Sequence, residues 1–500
     1  MGQENFWADD IVDEIVKTKS AFTLSTGITP SGPIHIGNMR EVLTGDIVYR
    51  ILKERNHIVK FNYVADDNDA LRRVYPFLDS SYEAHVGKPL NKVPCPCTKH
   101  ASYAEHFLTP FFVSLKKLGI EADILRASDL YATARMNKVV LAALKKTDVI
   151  KKILNEETGK ETNETWSPFL PLCSKCGKNT TTKLTGFSEK DEAITYECTC
   201  GDSRTVPIAG NGKLTWRIDW PARWSVLGVS IEPFGKDHAT EGGSYDTGKR
   251  IIKEVFEKEA PFPIVYEWIS LKGQGDMSSS KGNVVTIDEM LEVVPSEVLR
   301  YMIFKTQPKK AFVFDPGLPI FNLINEYDDG ESNKNERAFT LSKLKEIQPV
   351  GIPYKHMVTL VQMTNNNFNL IKDILKRTGY TNFHEEGLRS RADYAYNWVR
   401  KFAPDEVKFE LKTNLPEEAK KLNENQKKIL YVFREKFTST LTGEEIHNLL
   451  YSIIQEMNLS PKEGFEAIYL IFLGKTRGPK AGWFLETLGY EFVMKRLSEI

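Results

Sequence analysis

The sequence predicts a parallel α/β sheet that carries a metal-stapled insertion and is followed by an all-helical bundle. Three patterns predict it. Between residues 21 and 64 an apolar run, a glycine-rich turn, an amphipathic stretch and a β-branched run follow one another. Two tight cysteine pairs lie between 173 and 200. From about residue 330 onward, apolar residues recur at helical spacing behind capping signals.

The composition fits several units of ordinary soluble protein. Five hundred residues suggest three or four structural units at roughly 150 residues each, enough to bury a large core. With 41% hydrophobic and 27% charged residues, nothing suggests disorder or a fibrous chain. The 67 Lys+Arg balance the 67 Asp+Glu, so a polyanionic partner would have to be met by local basic patches. No apolar stretch approaches the length of a membrane span, and residues 1–17 are acidic and amphipathic rather than signal-like. A cytoplasmic protein with no membrane contact is expected.

The first element is the apolar run 21–26. It leads into Thr29-Pro-Ser-Gly-Pro-Ile-His35-Ile-Gly-Asn38, a turn that opens a helix carrying Leu43, Ile47, Val48, Ile51 and Leu52. Residues 58–64 then read as a strand. Strand, helix and strand form a right-handed parallel unit, which predicts a Rossmann-type sheet. Just past the second strand stand Asp66, Asp67, Asp69, Arg72 and Arg73, where ligands of open α/β sheets bind.

Six cysteines in so long a chain point to metal rather than to a disulfide scaffold. Cys173-x-x-Cys176-Gly and Cys198-x-Cys200-Gly predict a closed tetrahedral Zn2+ site of four thiolates. Cys95, Cys97, His100 and His106 have suitable donor atoms but irregular spacing, and stand as a candidate second zinc site. The core-like pattern returns at Trp216-Arg217-Ile-Asp219-Trp220-Pro-Ala-Arg223-Trp224, at Pro233-Phe234-Gly235-Lys236-Asp237-His238, and at a strand expected over 264–269. Trp216 and Trp224 are read as core. The halves of the sheet domain are therefore set at 1–94 and 206–275, the zinc-bearing insertion at 95–205, a signature loop and connecting region at 276–328, and the helical domain at 329–500. Within the last, Ile429, Val432, Phe433 and Phe437 form a stripe, Thr442-x-x-Glu445 is a capping box, and Ser460-Pro461 opens a further helix.

His35 and the run Asp276-Met-Ser-Ser279-Ser-Lys281-Gly-Asn283 form a pair of phosphate-handling motifs that resembles the signature of class I aminoacyl-tRNA synthetases. With Phe61 to Arg72, Trp216 to Trp224, Pro233 to His238, Gly242 to Tyr245 and Gly474 to Pro479, the resemblance narrows to the class I lysyl-tRNA synthetases of the mainly archaeal type, over nearly the whole chain. It implies ATP-dependent ligation of L-lysine to tRNA(Lys) through a lysyl-adenylate, with Mg2+ and Zn2+ as cofactors and a monomeric enzyme. In such a reaction a carboxylate attacks the α-phosphate of ATP. The site therefore has to position its reactants and stabilise phosphate charge rather than supply a strong base.

Carried over residue by residue, the resemblance assigns His35, Asn38 and Lys281 to catalysis, and Pro30, Gly37, Gly235, Asp237, Ile269, Met277 and Ser279 to ATP. It assigns Gly27, Thr29, Asp66, Trp220, Phe234 and His238 to lysine. Asp66 and Asp219 are both open candidates for the acid that faces the lysine ammonium. The signature departs from the general pattern in having Asp276 first and serine fourth, which leaves the cationic work to Lys281 with help from Lys272. By the same resemblance the insertion meets the acceptor end of the tRNA, region 276–328 its stem, and the helical domain its anticodon. Lys475, Arg477, Lys480 and Trp483 are candidate tRNA contacts, with Phe472 beside them as a candidate for base stacking. Two alternatives stay open: the same chemistry with glutamate, and a noncatalytic RNA-binding scaffold.

Overall fold

The computed structural model describes residues 6–277, 284–330, 336–344 and 350–500. It divides into two compact units, one of residues 1–291, 296–314 and 334–344, the other of 292–295, 315–333 and 345–500.

The first unit is built on a five-stranded parallel sheet. Helix α1 (Trp7–Ile15) precedes β1 (Ala21–Ile28), α2 (Ile36–Glu54) and β2 (Ile58–Ala65), and β1 pairs with β2 in register from Ala21↔Ile58 to Ile28↔Ala65. Helix α3 (Tyr103–Lys117) leads to β3 (Asp123–Arg126), which adds to β2 in parallel. The sheet thus takes an edge strand from inside 95–205, the stretch that the sequence pattern assigns to the insertion. Exposed at Asp123 and Ile124 and only four residues long, β3 carries too short an apolar run to be legible as a strand.

Helices α4 (Ala127–Ala132), α5 (Asn137–Lys145) and α6 (Thr147–Thr158) follow. Strand β4 (Phe169–Pro171) is next, then an antiparallel sheet of β5 (Thr182–Ser188), β6 (Ala193–Cys198) and β7 (Ser203–Pro207), and β8 (Gly212–Leu214), which returns to pair with β4. This region is no separate appendage. Ile150, Ile153, Phe169 and Ile194 share one apolar core with Ile218 and Ala222 of α7 (Trp216–Leu227) and Ile251 of α8 (Ser244–Glu254).

The chain re-enters the sheet at β9 (Ile231–Gly235) and β10 (Phe262–Tyr266), giving the order β10-β9-β1-β2-β3. Since β2 and β3 extend one way from β1 and β9 and β10 the other, the strand order reverses between β1 and β9. A crevice opens at such a switch point, outside the carboxyl ends of the strands. Beyond β10, the Glu267 amide donates to the Pro308 carbonyl at 2.8 Å, and the chain leaves the sheet. Ile269 therefore begins β11 (Ile269–Leu271) of a second small sheet with β12 (Gly275–Asp276) and β13 (Phe312–Phe314), rather than ending the strand expected over 264–269.

Ion pairs and hydrogen bonds within each unit explain why the chain passes between the units more than once. Arg337 pairs with Asp9 at 3.0 Å, and fully buried Arg300 donates to the carbonyls of Leu341 and Ser342 while pairing with Asp46 at 2.8 Å. These hold 336–344 to the first unit. In the second, Arg391 pairs with Asp328 at 2.7 Å and the Trp398 indole donates to Pro316 at 2.9 Å, so 315–328 belongs there.

The second unit is helical. Its C-terminal core is formed by Ile429, Phe433, Ile446, Leu450, Ile453, Ile468, Phe472 and Leu485. The Thr442–Glu445 capping box is present on helix Gly443–Glu456, worth about 1 kcal/mol. The final apolar stretch forms two helices, Ala481–Leu488 and Tyr490–Leu497, separated by Gly489 at φ +87°.

Candidate active site

The histidine turn is organised by helix capping. His35 is the N-cap of α2, and its Nδ1 accepts from the Gly37 amide at 3.1 Å while the Asn38 carbonyl oxygen accepts from the His35 amide at 3.1 Å. A lone pair on Nδ1 puts the ring proton on Nε2. Burial depresses the His35 pKa to about 4, so the imidazole is a neutral donor at pH 7. Gly37 is required here, because a Cβ would lie 2.8 Å from His35 Nδ1.

Both flanks of the serine run meet this turn. The Ile36 amide donates to the Val285 carbonyl at 3.1 Å and His35 bridges Thr286. On the other side, a Cβ on Gly37 would come within 3.5 Å of Met277 Cε. Residues 278–283, and with them Ser279 and Lys281, lie outside the described residues.

A cavity of about 530 Å³ opens at the switch point, bounded by the end of β1, the start of α2, the end of β9, α7 and the segment around β11. It brings together His35, Gly37, Asn38, Gly27, Thr29, Asp66, Trp220, Phe234, Gly235, Asp237, His238, Ile269 and Met277. Pro30 is buried in the turn and is not among the lining residues. Gly27 lets β1 press against β2, since a Cβ there would meet the Val64 carbonyl at 2.4 Å.

One wall is aromatic. Trp216 stacks on Trp220 (5.5 Å, 13°), and Trp220 also meets Trp224 at 4.7 Å, Phe234 edge-on at 5.3 Å and His238 at 5.3 Å. Burial lowers the His238 pKa although Asp237 opposes the shift. Trp216, read from the sequence as core, is half-buried and lines the cavity, with the Arg223 guanidinium 5.5 Å from its ring.

The acids sort by their partners. Burial pushes the Asp66 carboxyl up, but Lys213 and Arg223 outweigh it and hold the pKa below the usual range; the contacts are 3.4 and 3.0 Å. Asp219 is committed to the same two cations at 3.5 and 3.2 Å. Of the two sequence candidates, Asp219 is fully buried and does not line the cavity, while Asp66 lines it already engaged by Lys213 and Arg223. Glu41 differs. Its two oxygens accept from the Gly27 amide and the Tyr266 hydroxyl, each at 2.9 Å, and no lysine or arginine pairs with it among the described residues. Burial raises its pKa to about 7. A second lining acid, Glu232, is raised to about 8 by burial, although the indoles of Trp220 and Trp224 both donate to it. Sequence reasoning missed Glu41, Tyr266 and Glu232. A usable signal existed for the first, since Glu41 follows Asn38 by three residues on α2 and so shares its helix face.

The thiol groups are assembled for metal. Cys173, Cys176, Cys198 and Cys200 place their sulfurs within 4.8 Å of one another, with Cys173–Cys200 at 3.6 Å and Cys176–Cys198 at 3.7 Å. A tetrahedral ion with Zn–S bonds of about 2.3 Å requires S···S of roughly 3.8 Å. Cys95, Cys97, His100 and His106 gather equally closely, with Cys97 Sγ 3.3 Å from His100 Nδ1 and 3.2 Å from His106 Nδ1. Both donor sets fit zinc.

In the helical unit, Lys480 Nζ lies 3.6 Å from the centroid of the Trp483 ring, Lys475 Nζ donates to the Lys408 carbonyl at 2.8 Å, and Arg477 is exposed. Phe472 is wholly buried in the core, so it presents no face to a base.

Residues 5–349 match the family described as tRNA synthetases class I (K), and residues 391–500 match an anticodon binding domain. Among curated proteins the chain is 47% identical to the lysine–tRNA ligase of Methanosarcina barkeri (strain Fusaro / DSM 804), covering 99% of this chain and 97% of that protein. It is 43% identical to that of Archaeoglobus fulgidus, covering 98% and 99%, and 38% identical to that of Methanococcus maripaludis, covering 98% and 99%.

Proposed function

Because this chain belongs to the class I tRNA synthetases of the lysine type, we propose that it activates L-lysine with ATP and transfers it to the 3′ end of tRNA(Lys). The observation that carries the choice of amino acid is Glu41, a carboxyl at the wall of the cavity that no lysine or arginine pairs with among the described residues. A lysine whose stem lies along Trp220 and Phe234 and whose ammonium meets Glu41 and the Tyr266 hydroxyl satisfies both the apolar wall and the buried acid. Glutamate, the competing substrate, would bring a like charge to Glu41. Gly27, Thr29 and His238 complete the lysine subsite, and Asp66 faces it from within the ion-pair network of Lys213 and Arg223.

In the activation step the lysine carboxylate attacks the α-phosphate and pyrophosphate leaves. His35 donates from Nε2 and Asn38 from its amide to the phosphate oxygens, and Lys281 brings the positive charge. Charge on the oxygens grows toward the transition state, so these donors gain strength as the reaction proceeds. Gly235 and Asp237 hold the ribose, Ile269 the adenine, and Pro30, Gly37, Met277 and Ser279 shape the remaining ATP contacts. Mg2+ enters with the triphosphate.

Two zinc ions staple the catalytic unit, one on Cys173, Cys176, Cys198 and Cys200 and one on Cys95, Cys97, His100 and His106. The insertion receives the acceptor end, region 276–328 the stem, and the helical unit the anticodon through Lys475, Arg477, Lys480 and Trp483. On this reading the enzyme acts as a cytoplasmic monomer. Among the described residues no helix is long and apolar enough to cross a membrane.

The test is ATP–pyrophosphate exchange with each standard amino acid in turn. Exchange driven by lysine alone supports the reading, exchange with glutamate alone replaces the substrate, and no exchange with any amino acid favours a noncatalytic RNA-binding role.

A further inference from the structure

Glu232 stands in a setting that packing alone does not explain. It lies on β9, is 8% exposed, and has both carboxyl oxygens occupied. The Trp220 indole donates to one at 2.9 Å and the Trp224 indole to the other. No lysine or arginine pairs with it among the described residues. A carboxyl buried without a cation is costly, and an apolar side chain would fill the space without that cost. What only a forked acceptor provides is simultaneous bonding of two indoles one helical turn apart, since indole N–H is a donor and nothing else.

The consequence falls on the ring that faces the cavity. With its N–H fixed to Glu232, Trp220 keeps one orientation relative to Trp216, Phe234 and His238. Freed from that bond, the indole could turn about its side-chain torsions, because aromatic packing constrains a ring less specifically than a directed hydrogen bond does. We propose that Glu232 is a positioning residue of the amino-acid pocket, which by accepting both indole N–H groups sets the Trp220 plane against which the aliphatic stem of the substrate side chain packs. This rests on the lysine reading of the cavity. Chain-length selectivity then depends on Glu232 even though the ammonium is bound elsewhere.

The test uses the full-length protein with Glu232→Gln and Glu232→Ala. Pyrophosphate exchange is measured against lysine, against ornithine, whose side chain is one methylene shorter, and against ATP, together with the near-ultraviolet circular dichroism of the tryptophans. The expected result is a lysine KM raised roughly tenfold in Glu232→Ala with the ATP KM unchanged, a smaller rise in Glu232→Gln, reduced discrimination against ornithine and an altered tryptophan spectrum; tenfold corresponds to about 1.4 kcal/mol, the upper range for one net hydrogen bond. In a Trp220→Phe background the Glu232→Gln change should add nothing to the lysine KM. An unchanged lysine KM in folded Glu232→Gln overturns the proposal, as does a rise shared equally by lysine and ATP. Failure of the lysine reading itself would be seen separately, as absent lysine-dependent exchange in the unaltered protein. If Glu232→Ala does not fold, Glu232→Gln and the Trp220→Phe background still decide.

Discussion

The amide of Ile36 donates to the carbonyl of Val285 at 3.1 Å. Almost 250 residues of chain separate these two groups, yet the bond ties the exit of the serine run to the first turn of the helix that His35 caps. With Met277 at the other flank beside Gly37, both described flanks of the serine run lie against the His35 turn.

If His35 and Lys281 both serve phosphate charge, His35→Ala and Lys281→Ala should each slow lysine-dependent pyrophosphate exchange by about a hundredfold or more, the usual effect of removing a transition-state donor. Thermal unfolding should move little for Lys281→Ala, and for His35→Ala by no more than a lost cap of about 1 kcal/mol. Equal exchange rates would remove the residue from the mechanism.

Glu41 gives a pH dependence with a defined sign. Its pKa, raised by burial to about 7, means that the folded protein holds this proton more tightly than the unfolded chain does. Its contribution to stability is thus full in acid and is lost as pH rises toward 7. Lysine binding needs the ionised form. Affinity should fall up to about tenfold per pH unit below 7 and level off above it, and the lysine-induced gain in melting temperature should be larger at pH 8 than at pH 6. Glu41→Gln should raise the lysine KM, leave the ATP KM alone and flatten the profile. A pH-independent affinity between 5.5 and 8 in the unaltered protein would contradict the assignment.

Elemental analysis of the purified protein should give two zinc equivalents per chain. Cys173→Ser or Cys198→Ser should lose one, and Cys95→Ser the other, each with a lower melting temperature. A variant that keeps both equivalents would exclude its cysteine from the ligands.

The buried network at the end of β2 predicts a stability effect. Lys213 contacts Asp66, Asp69 and Asp219, and Arg223 contacts Asp66 and Asp219. Lys213→Met leaves Asp66 and Asp219 to Arg223 and Asp69 to the exposed Arg72, which should cost about 3–5 kcal/mol in the denaturant-unfolding free energy. A cost under about 1 kcal/mol would mean that the acids are neutral in the folded protein.

What the sequence made legible was local. The His35 turn, the cysteine pairs, the tryptophan spacing and the Thr442 cap each lie within a few residues, where periodicity and capping rules apply. The residues it missed become a site only through tertiary contact. Glu41 looks like an ordinary helix-surface acid until β10 brings the Tyr266 hydroxyl to it, and Glu232 is a single carboxylate on a strand until α7 lays two indoles against it. Asp66 and Asp219 drew attention for the opposite reason: they stand beside ligand-bearing motifs, but Lys213, from a strand 147 positions beyond Asp66, claims them both. Phe472 likewise lies near basic residues in sequence while its side chain turns into the helical core.

The most direct measurement is a crystal structure with a nonhydrolysable lysyl-adenylate analogue. It should place the lysine ε-nitrogen within hydrogen-bond distance of Glu41 and the Tyr266 hydroxyl, and His35 Nε2 within that distance of an oxygen of the group replacing the α-phosphate. An ε-nitrogen bonded instead to Asp66 or Glu232, or an analogue bound away from His35, would contradict it.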